Sequence, residues 1–254
     1  MTTIVVVGYG VLGKTIGRYL AANGYTVAIK EKDRYLTAIP DVADAAIICV
    51  DTPTANGQLD DSNLVTALSW VRQEFGMIPT MVKSTITPDR AELLDENVVY
   101  SPEFLRERSA YDDFIHQTFM LLGGADDQVE FWKYVFEGLD TEFVTTSAQA
   151  ASWCKYIHNL FLATKVIFFH ELDMVANRLQ HKQHYQEALR ITREHNTQIG
   201  SSHTYSPNEL GTYGVVGKCF PKDMQAFLHY SNSDLIKWII EYNDKLRTQQ
   251  PDDS

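Results

Sequence analysis

Hydrophobic residues along this chain follow two regimes. Up to about residue 147 short apolar runs alternate with amphipathic stretches, and beyond it apolar positions recur only at helical spacing. The first run, Ile4-Val5-Val6-Val7, is β-branched in the manner of a strand buried on both faces. Lys14 to Asn23 has a helical pattern that Gly24 closes, and a second strand, Tyr25–Lys30, follows at once. The interval from Glu31 to the next strand, Ala45–Val50, contains Pro40 and is too short for a helix, a strand and a second helix. A trimmed or missing strand is expected there. Further on the pattern predicts a helix over Ser62–Phe75, strands at Ile78–Lys83, Val98–Tyr100 and Thr118–Leu122, a helix over Asp127–Glu137 and a last strand at Thr141–Thr145. Strands alternating with helices predict an α/β unit with a parallel, doubly wound sheet.

From Ala148 to about Leu179 the chain has neither Pro nor Gly, which predicts one long helix. At 1.5 Å per residue it reaches roughly 45 Å, so part of it is expected to pack on another helix or subunit. The rest, to about Arg247, reads as shorter helices broken by a loop from Gly200 to Lys218. The expected organisation is a sheet domain over 1–147, the long helix with a small all-α domain over 148–247, and a disordered tail over 248–254.

Composition narrows the function. The formal net charge of -11 argues against affinity for a phosphate backbone, so no nucleic-acid partner is expected, although a local pocket for one anionic ligand is compatible with it. No apolar run approaches the roughly 20 residues that span a bilayer, and Met1 leads straight into Ile4–Val7 without a basic leader; no membrane association and a cytoplasmic location are expected. Cys49, Cys154 and Cys219 are too few and too scattered for a disulfide framework or a zinc site. His181 and His184 lack a third ligand nearby, so no metal is expected.

Gly8, Gly10 and Gly13 directly follow the first strand and open a helix. Glycines there permit a tight turn, approach of the backbone to a pyrophosphate and close strand-to-helix packing, while the helix N-terminus offers free N–H groups. Glu31, at the end of the second strand, stands where a carboxylate accepts hydrogen bonds from ribose hydroxyls and repels a 2′-phosphate, which favours NAD over NADP. Lys30, Lys32 and Arg34 lie alongside it and narrow that preference.

The stretch Gly217-Lys218-Cys219-Phe220-Pro221-Lys222-Asp223 carries the most chemistry. Cys219 lies between two lysines that would lower a thiol pKa, whereas Cys49 and Cys154 read as small buried hydrophobes. Asp223, four residues on, shares the helical face of Cys219 if a helix begins there. Lys155 and Asn159, also four apart, point into one pocket from the long helix and suit a developing alkoxide.

Together with Ser101-Pro102-Glu103-Phe104-Leu105-Arg106-Glu107 and Lys83-Ser84-Thr85, these motifs resemble the UDP-glucose/GDP-mannose dehydrogenase family, from Ile4 to about Asn243. The resemblance implies a Rossmann-type domain followed by the long helix, and two NAD-dependent oxidations of a primary alcohol on a nucleotide sugar. It implies that Lys155 and Asn159 stabilise the first alkoxide, with Asp223 and Thr85 positioning a water that accepts the proton. Cys219 would trap the aldehyde as a thiohemiacetal, and Glu103 would activate the water that hydrolyses the resulting thioester. Val11, Leu12, Thr52, Pro53 and Thr85 would join the three glycines and Glu31 around NAD. Phe104, Leu105, Arg106, Glu107 and Gly214 would line the sugar pocket with Lys155, Asn159 and Cys219. The long helix would form a homodimer core that buries Phe161, Val166 and Phe169.

Three features depart from the family pattern: the chain stops at Ser254 without a second nucleotide-binding domain, Val215 and Val216 stand where a run of glycines is usual, and Gln198 replaces an Arg before Ile199-Gly200. Two other readings therefore stand beside the first. One is a β-hydroxyacid dehydrogenase, which needs neither Cys219 nor Glu103 for its single oxidation; the other is a noncatalytic NAD- or partner-binding protein of the same fold.

Overall fold

The computed structural model describes residues 2–32, 34–207 and 211–249. It comprises two compact units: residues up to Lys155 other than 56–58, and the chain from Tyr156 together with 56–58.

The first unit opens with β1 (Thr3–Val7), α1 (Val11–Ala22), β2 (Thr26–Glu31), β3 (Arg34–Tyr35) and β4 (Ala45–Ile48). A small hairpin of β5 (Thr54–Ala55) and β6 (Gln58–Leu59) precedes α2 (Ser62–Phe75), β7 (Thr80–Val82), α3 (Pro88–Glu92) and β8 (Val98–Tyr100). Then come α4 (Ala110–Ile115), β9 (Phe119–Gly123), α5 (Asp126–Val135), β10 (Glu142–Thr146) and the start of α6 (Ala148–Arg178). Eight strands form one sheet in the order β10-β9-β8-β7-β4-β1-β2-β3, and β1 pairs in parallel with both β2 and β4. The strand order reverses at β1, so the crevice beyond the carboxyl ends of β1 and β4 is the place where such sheets take ligands.

The sheet is covered on both sides. Ile4 and Val6 of β1 pack with Ile16 and Leu20 of α1 and with Val129 and Trp132 of α5. Val5 and Val7 point the other way, into Leu64, Ala67 and Val71 of α2 and Ala151 of α6. This is why β1 reads as a continuous apolar run: each pleat face has its own helix layer, and each buried aliphatic side chain contributes about 1.5–3 kcal/mol.

The short interval after β2 holds the expected trimmed strand. β3 has two residues and returns antiparallel to β2, with Glu31 opposite Arg34, and among the described residues no helix intervenes before β4. The sheet is doubly wound and mostly parallel, as expected, and departs from parallel pairing in a second place. β8 and β9 meet in one antiparallel pair, Tyr100 with Gly123, which joins the last residue of each strand, so the two halves touch at their carboxyl ends and do not run side by side. The β5–β6 hairpin was not anticipated, although Asn56-Gly57 is its signature: both residues adopt positive φ, 51° and 80°, as a two-residue hairpin turn requires.

In the second unit α6 continues and is followed by α7 (Lys182–His195), α8 (Cys219–Ser231) and α9 (Asp234–Arg247). Its core gathers Tyr156, Ala163 and Ile167 of α6, Met224 and Phe227 of α8, and Ile236, Ile239 and Ile240 of α9 around Tyr213 and Val215. Ser233 caps α9 by accepting the Ile236 N–H. The expectation of a disordered tail falls, from 250 onward, outside the described residues. Among the described residues no helix is long and apolar enough to cross a membrane, and no group of three or more His, Cys, Asp or Glu is arranged to hold a metal ion.

Candidate functional site

The glycine loop fits a dinucleotide. Gly8 has φ +89°, and a Cβ there would stand 2.6 Å from the Cys49 carbonyl oxygen; a Cβ on Gly13 would stand 2.0 Å from the Gly8 oxygen. β1, the loop and α1 therefore approach one another at distances only glycine permits. A Cβ on Gly10 would meet nothing within 4 Å, and as N-cap of α1 Gly10 supplies no capping side chain to the free N–H groups of the first turn, where Val11, Leu12 and Gly13 lie. Glu31 stands at the end of β2, and its Oε2 accepts the Tyr9 N–H at 2.5 Å. Lys30 is occupied elsewhere: its Nζ donates to the Lys32 carbonyl and lies over the rings of Tyr35 and Trp70, 5.2 and 5.1 Å from their centroids. With the Glu31 carboxylate at the end of β2 and Lys30 turned to Tyr35 and Trp70, this arrangement suits NAD.

Across the switch point the loops after β4 and β7 are tied together. The buried Thr52 hydroxyl donates to the Thr85 carbonyl at 2.7 Å and Ser84 Oγ to the Val50 carbonyl at 2.6 Å, while Pro53 is exposed. Beside them Lys83 is buried, and its Nζ donates to Ser101 Oγ at 3.0 Å. Burial lowers the Lys83 pKa to about 8 and pushes the Cys49 thiol up to about 12.

Lys155, on α6, is 4% exposed. Its Nζ donates to the Glu103 carbonyl at 2.6 Å, stands 3.2 Å from Glu103 Oε1, and lies 5.6 Å from the centroid of the Phe104 ring. The other carboxylate oxygen of Glu103 accepts the Leu105 N–H at 2.6 Å. Leu105 packs against the core of the α1 side. Arg106 is committed differently from the expectation: it grips Asp113 with two N–H groups, at 2.6 and 3.0 Å, and holds that carboxyl well below its usual range. Glu107 is exposed at the start of a single 3-10 turn.

In the second unit α8 begins at Cys219, which is exposed. Asp223, one turn on, is buried and accepts from Asn159 Nδ2 and from Lys222 Nζ, each at 2.5 Å. Asn159 is itself buried, one turn beyond Lys155 on α6. Gly214 is buried at φ +85°, and a Cβ on it would stand 2.7 Å from Arg247 Cγ.

Two expectations need correction. Cys154 is exposed, because the helical step that turns Lys155 inward points its neighbour to solvent. Phe169 is buried in its own unit and unavailable to a partner, whereas Phe161 is exposed. Three residues of consequence escaped the sequence reading: His170, Asp173 and Asn243, all buried and all bonded to the segment before Cys219. The available signal is a polar pair three apart, His170 and Asp173, between the apolar runs Val166–Phe169 and Met174–Ala176.

Comparison with known proteins agrees with this geometry. The NAD binding domain of the UDP-glucose/GDP-mannose dehydrogenase family matches residues 34–140, downstream of the glycine loop, and its central domain matches residues 149–245. A UDP-glucose 6-dehydrogenase of Bacillus subtilis is 29% identical over 65% of this chain and 37% of its own length. Similar relatives show that the chain spans about half the length of the curated proteins it matches. A UDP-glucose dehydrogenase structure from Pyrobaculum islandicum superposes with a TM-score of 0.79 at 24% identity, covering 96% of this chain and 68% of that one. The fold of a Mycobacterium tuberculosis 3-hydroxyisobutyrate dehydrogenase also matches, with a TM-score of 0.73 at 17% identity over 99% of this chain and 96% of that one. With both domains matched in order over the same two units, the chain belongs to the UDP-glucose/GDP-mannose dehydrogenase family and carries its NAD-binding domain.

Proposed function

We propose that this protein oxidises the primary alcohol of a nucleotide sugar such as UDP-glucose to the uronic acid in two steps, with Cys219 as the nucleophile. The observation that carries this reading is the burial of two partnered polar pairs, Lys155 with Glu103 in the first unit and Asn159 with Asp223 in the second. Buried polar groups are costly unless partnered, and a set of this composition serves an alcohol that must lose a proton and a hydride.

Bound NAD supplies the hydride acceptor for both oxidations. Val11, Leu12 and Gly13, in the first turn of α1, would meet its pyrophosphate through backbone N–H groups, Gly8, whose own N–H goes to the Lys30 carbonyl, and Gly10 would give it room, Glu31 would bind a ribose, and Thr52, Pro53 and Thr85 would line the same site. Lys155 and Asn159 hold the alkoxide of the substrate, and Asp223 with Thr85 orients the water that takes the proton. The Cys219 thiolate then adds to the aldehyde carbon to give a thiohemiacetal. Loss of hydride from that carbon leaves a thioester. Water activated by Glu103 attacks it, the C–S bond breaks, the acid leaves and the thiol is restored. Phe104, Leu105, Glu107 and Gly214 line the sugar pocket in this reading; Arg106 acts there by ordering its loop through Asp113.

The protein works as a homodimer through the exposed stripe Ile157, Phe161 and Phe168 on α6, where apolar side chains recur on one helical face. The test is NADH formation by the purified protein with UDP-glucose, other UDP- and GDP-sugars, and short β-hydroxyacids. Turnover confined to nucleotide sugars supports the reading. Turnover of a β-hydroxyacid alone refutes it.

A further inference from the structure

The segment between α7 and α8 leads into Cys219, and three consecutive residues of it are anchored by buried polar side chains. Tyr213 Oη donates to Asp173 Oδ2 at 3.0 Å, the Gly214 N–H to His170 Nδ1 at 2.7 Å, and the Val215 N–H to Asn243 Oδ1 at 2.6 Å. Asp173 and His170 are fully buried and Asn243 is 3% exposed. His170 holds a second point of the same segment, because its Nε2 lies 2.8 Å from the Tyr205 carbonyl. These two partners fix the tautomer. A backbone N–H needs an acceptor at Nδ1 and a carbonyl needs a donor at Nε2, so the ring is neutral with its proton on Nε2.

We infer that His170 is a positioning residue that makes the order of the backbone at Tyr205 and over 211–215, and through it the approach to Cys219, depend on the ring remaining unprotonated. Protonation places an N–H on Nδ1 against the Gly214 N–H, two donors with no acceptor between them, in a site without water access. Gly214 has no easy alternative position: its φ is +85°, and Arg247 and Asn243 crowd the place a Cβ would take.

The surroundings act in both directions, and the Tyr205 carbonyl favours the imidazolium. Asp173, on the same helix, favours the imidazolium, but its oxygens are shared by Lys182 and Gln186 of α7 and by Tyr213. Arg193 of α7 donates to Thr204 and lies 4.4 Å from the centroid of the Tyr205 ring; Arg247 of α9 lies beside Gly214, and both are cationic. The Tyr213 ring packs edge-on against the imidazole at 5.7 Å, and Tyr185 donates to the Phe169 carbonyl. Burial leads the balance and lowers the His170 pKa below its ordinary 6.5. The unfolded chain therefore takes up the proton first as pH falls, so the contribution of the clamp is complete above 6.5 and is lost below it.

The structural part of this inference stands on the bonds alone; its consequence for catalysis rests on the function proposed above. Amide hydrogen exchange over 211–218, corrected for the intrinsic rate, is to be followed from pH 8 to pH 4.5 in the full-length protein and in His170→Asn, with NADH formation from UDP-glucose measured in parallel. Asparagine retains an acceptor for Gly214 that does not titrate. Exchange in the wild type is expected to rise as pH falls below 6.5 and to stay level in His170→Asn, whose kcat/KM is expected to fall less steeply over the same range than that of the wild type. Wild-type exchange that stays level across the range overturns the inference whatever the activity. An exchange switch without NADH formation at any pH supports the clamp and counts against the proposed function.

Discussion

Lys155 Nζ donates to the backbone carbonyl of Glu103 at 2.6 Å and stands 3.2 Å from the same residue's carboxylate, so one ammonium holds both ends of Glu103. In the proposed reaction these are the groups that hold the alkoxide and activate the hydrolytic water.

Glu103→Gln keeps the carbonyl bond but removes the base. Overall turnover is expected to fall by roughly 10²–10⁴-fold, while the first two hydride transfers survive as a burst. Intact-mass spectrometry would then find an acyl adduct on Cys219. A slow variant with no burst and no adduct would sink the assignment of Glu103 to thioester hydrolysis.

The bond from Asn159 to Asp223 gives a stability prediction. Asp223→Ala strands the Asn159 amide in the interior and takes a partner from Lys222, which is expected to cost about 1–3 kcal/mol, or about 2–4 °C of Tm per kcal/mol. Asp223→Asn retains an acceptor and should melt near the wild type while losing activity. Thermal unfolding of both variants decides it; an Ala variant as stable as the wild type would mean the buried bond contributes nothing.

The glycines of the first loop separate folding from cofactor binding. Gly13→Ala forces a Cβ to 2.0 Å from a backbone oxygen, and a loss at the upper end of about 1–3 kcal/mol is expected. Gly10 has φ −69° and an open Cβ position, so Gly10→Ala should melt like the wild type yet bind NAD roughly tenfold or more weakly, about 1.4 kcal/mol. Calorimetry with NAD checks the pair, and unchanged affinity in Gly10→Ala would move the cofactor away from this loop.

Much of this was legible in the sequence where periods are long or local chemistry is strict. α2 and α6 declare themselves by uninterrupted helical spacing, and β1 by an apolar run that both helix layers cover. The trimmed strand was legible because chain length limits a crossover. What was hidden depends on tertiary placement. Nothing local makes β8 and β9 meet only at their ends, and the residue type of Cys154 suggests burial where the helical step that turns Lys155 to Glu103 leaves it in solvent. The role of His170 is visible only when two distant carbonyl and amide groups arrive on its ring.

Two groups near the cofactor loop, the buried Lys83 and the half-buried Cys49, give the first unit a pH signature. Folding lowers the Lys83 pKa from 10.5 to about 8, so between those values the unfolded chain binds more protons and stability rises with pH. Folding raises the Cys49 pKa from 9.0 to about 12, so above 9.0 the folded chain keeps a proton the unfolded chain loses, and stability falls with pH. Between about pH 8 and 9 Lys83 acts alone of the two, and the urea midpoint is expected to climb there in the wild type but not in Lys83→Met. An equal climb in both would exclude Lys83 as its source. At pH 8 a thiol reagent should label the exposed Cys154 and Cys219 and spare Cys49.

The central claim is a four-electron oxidation through Cys219, and the most direct measurement is the number of NADH molecules formed per UDP-glucose consumed by wild type and by Cys219→Ser. Two NADH per sugar in the wild type, with turnover to the acid abolished in the variant, is the predicted result. One NADH per sugar, or equal formation of the acid by both proteins, would contradict it.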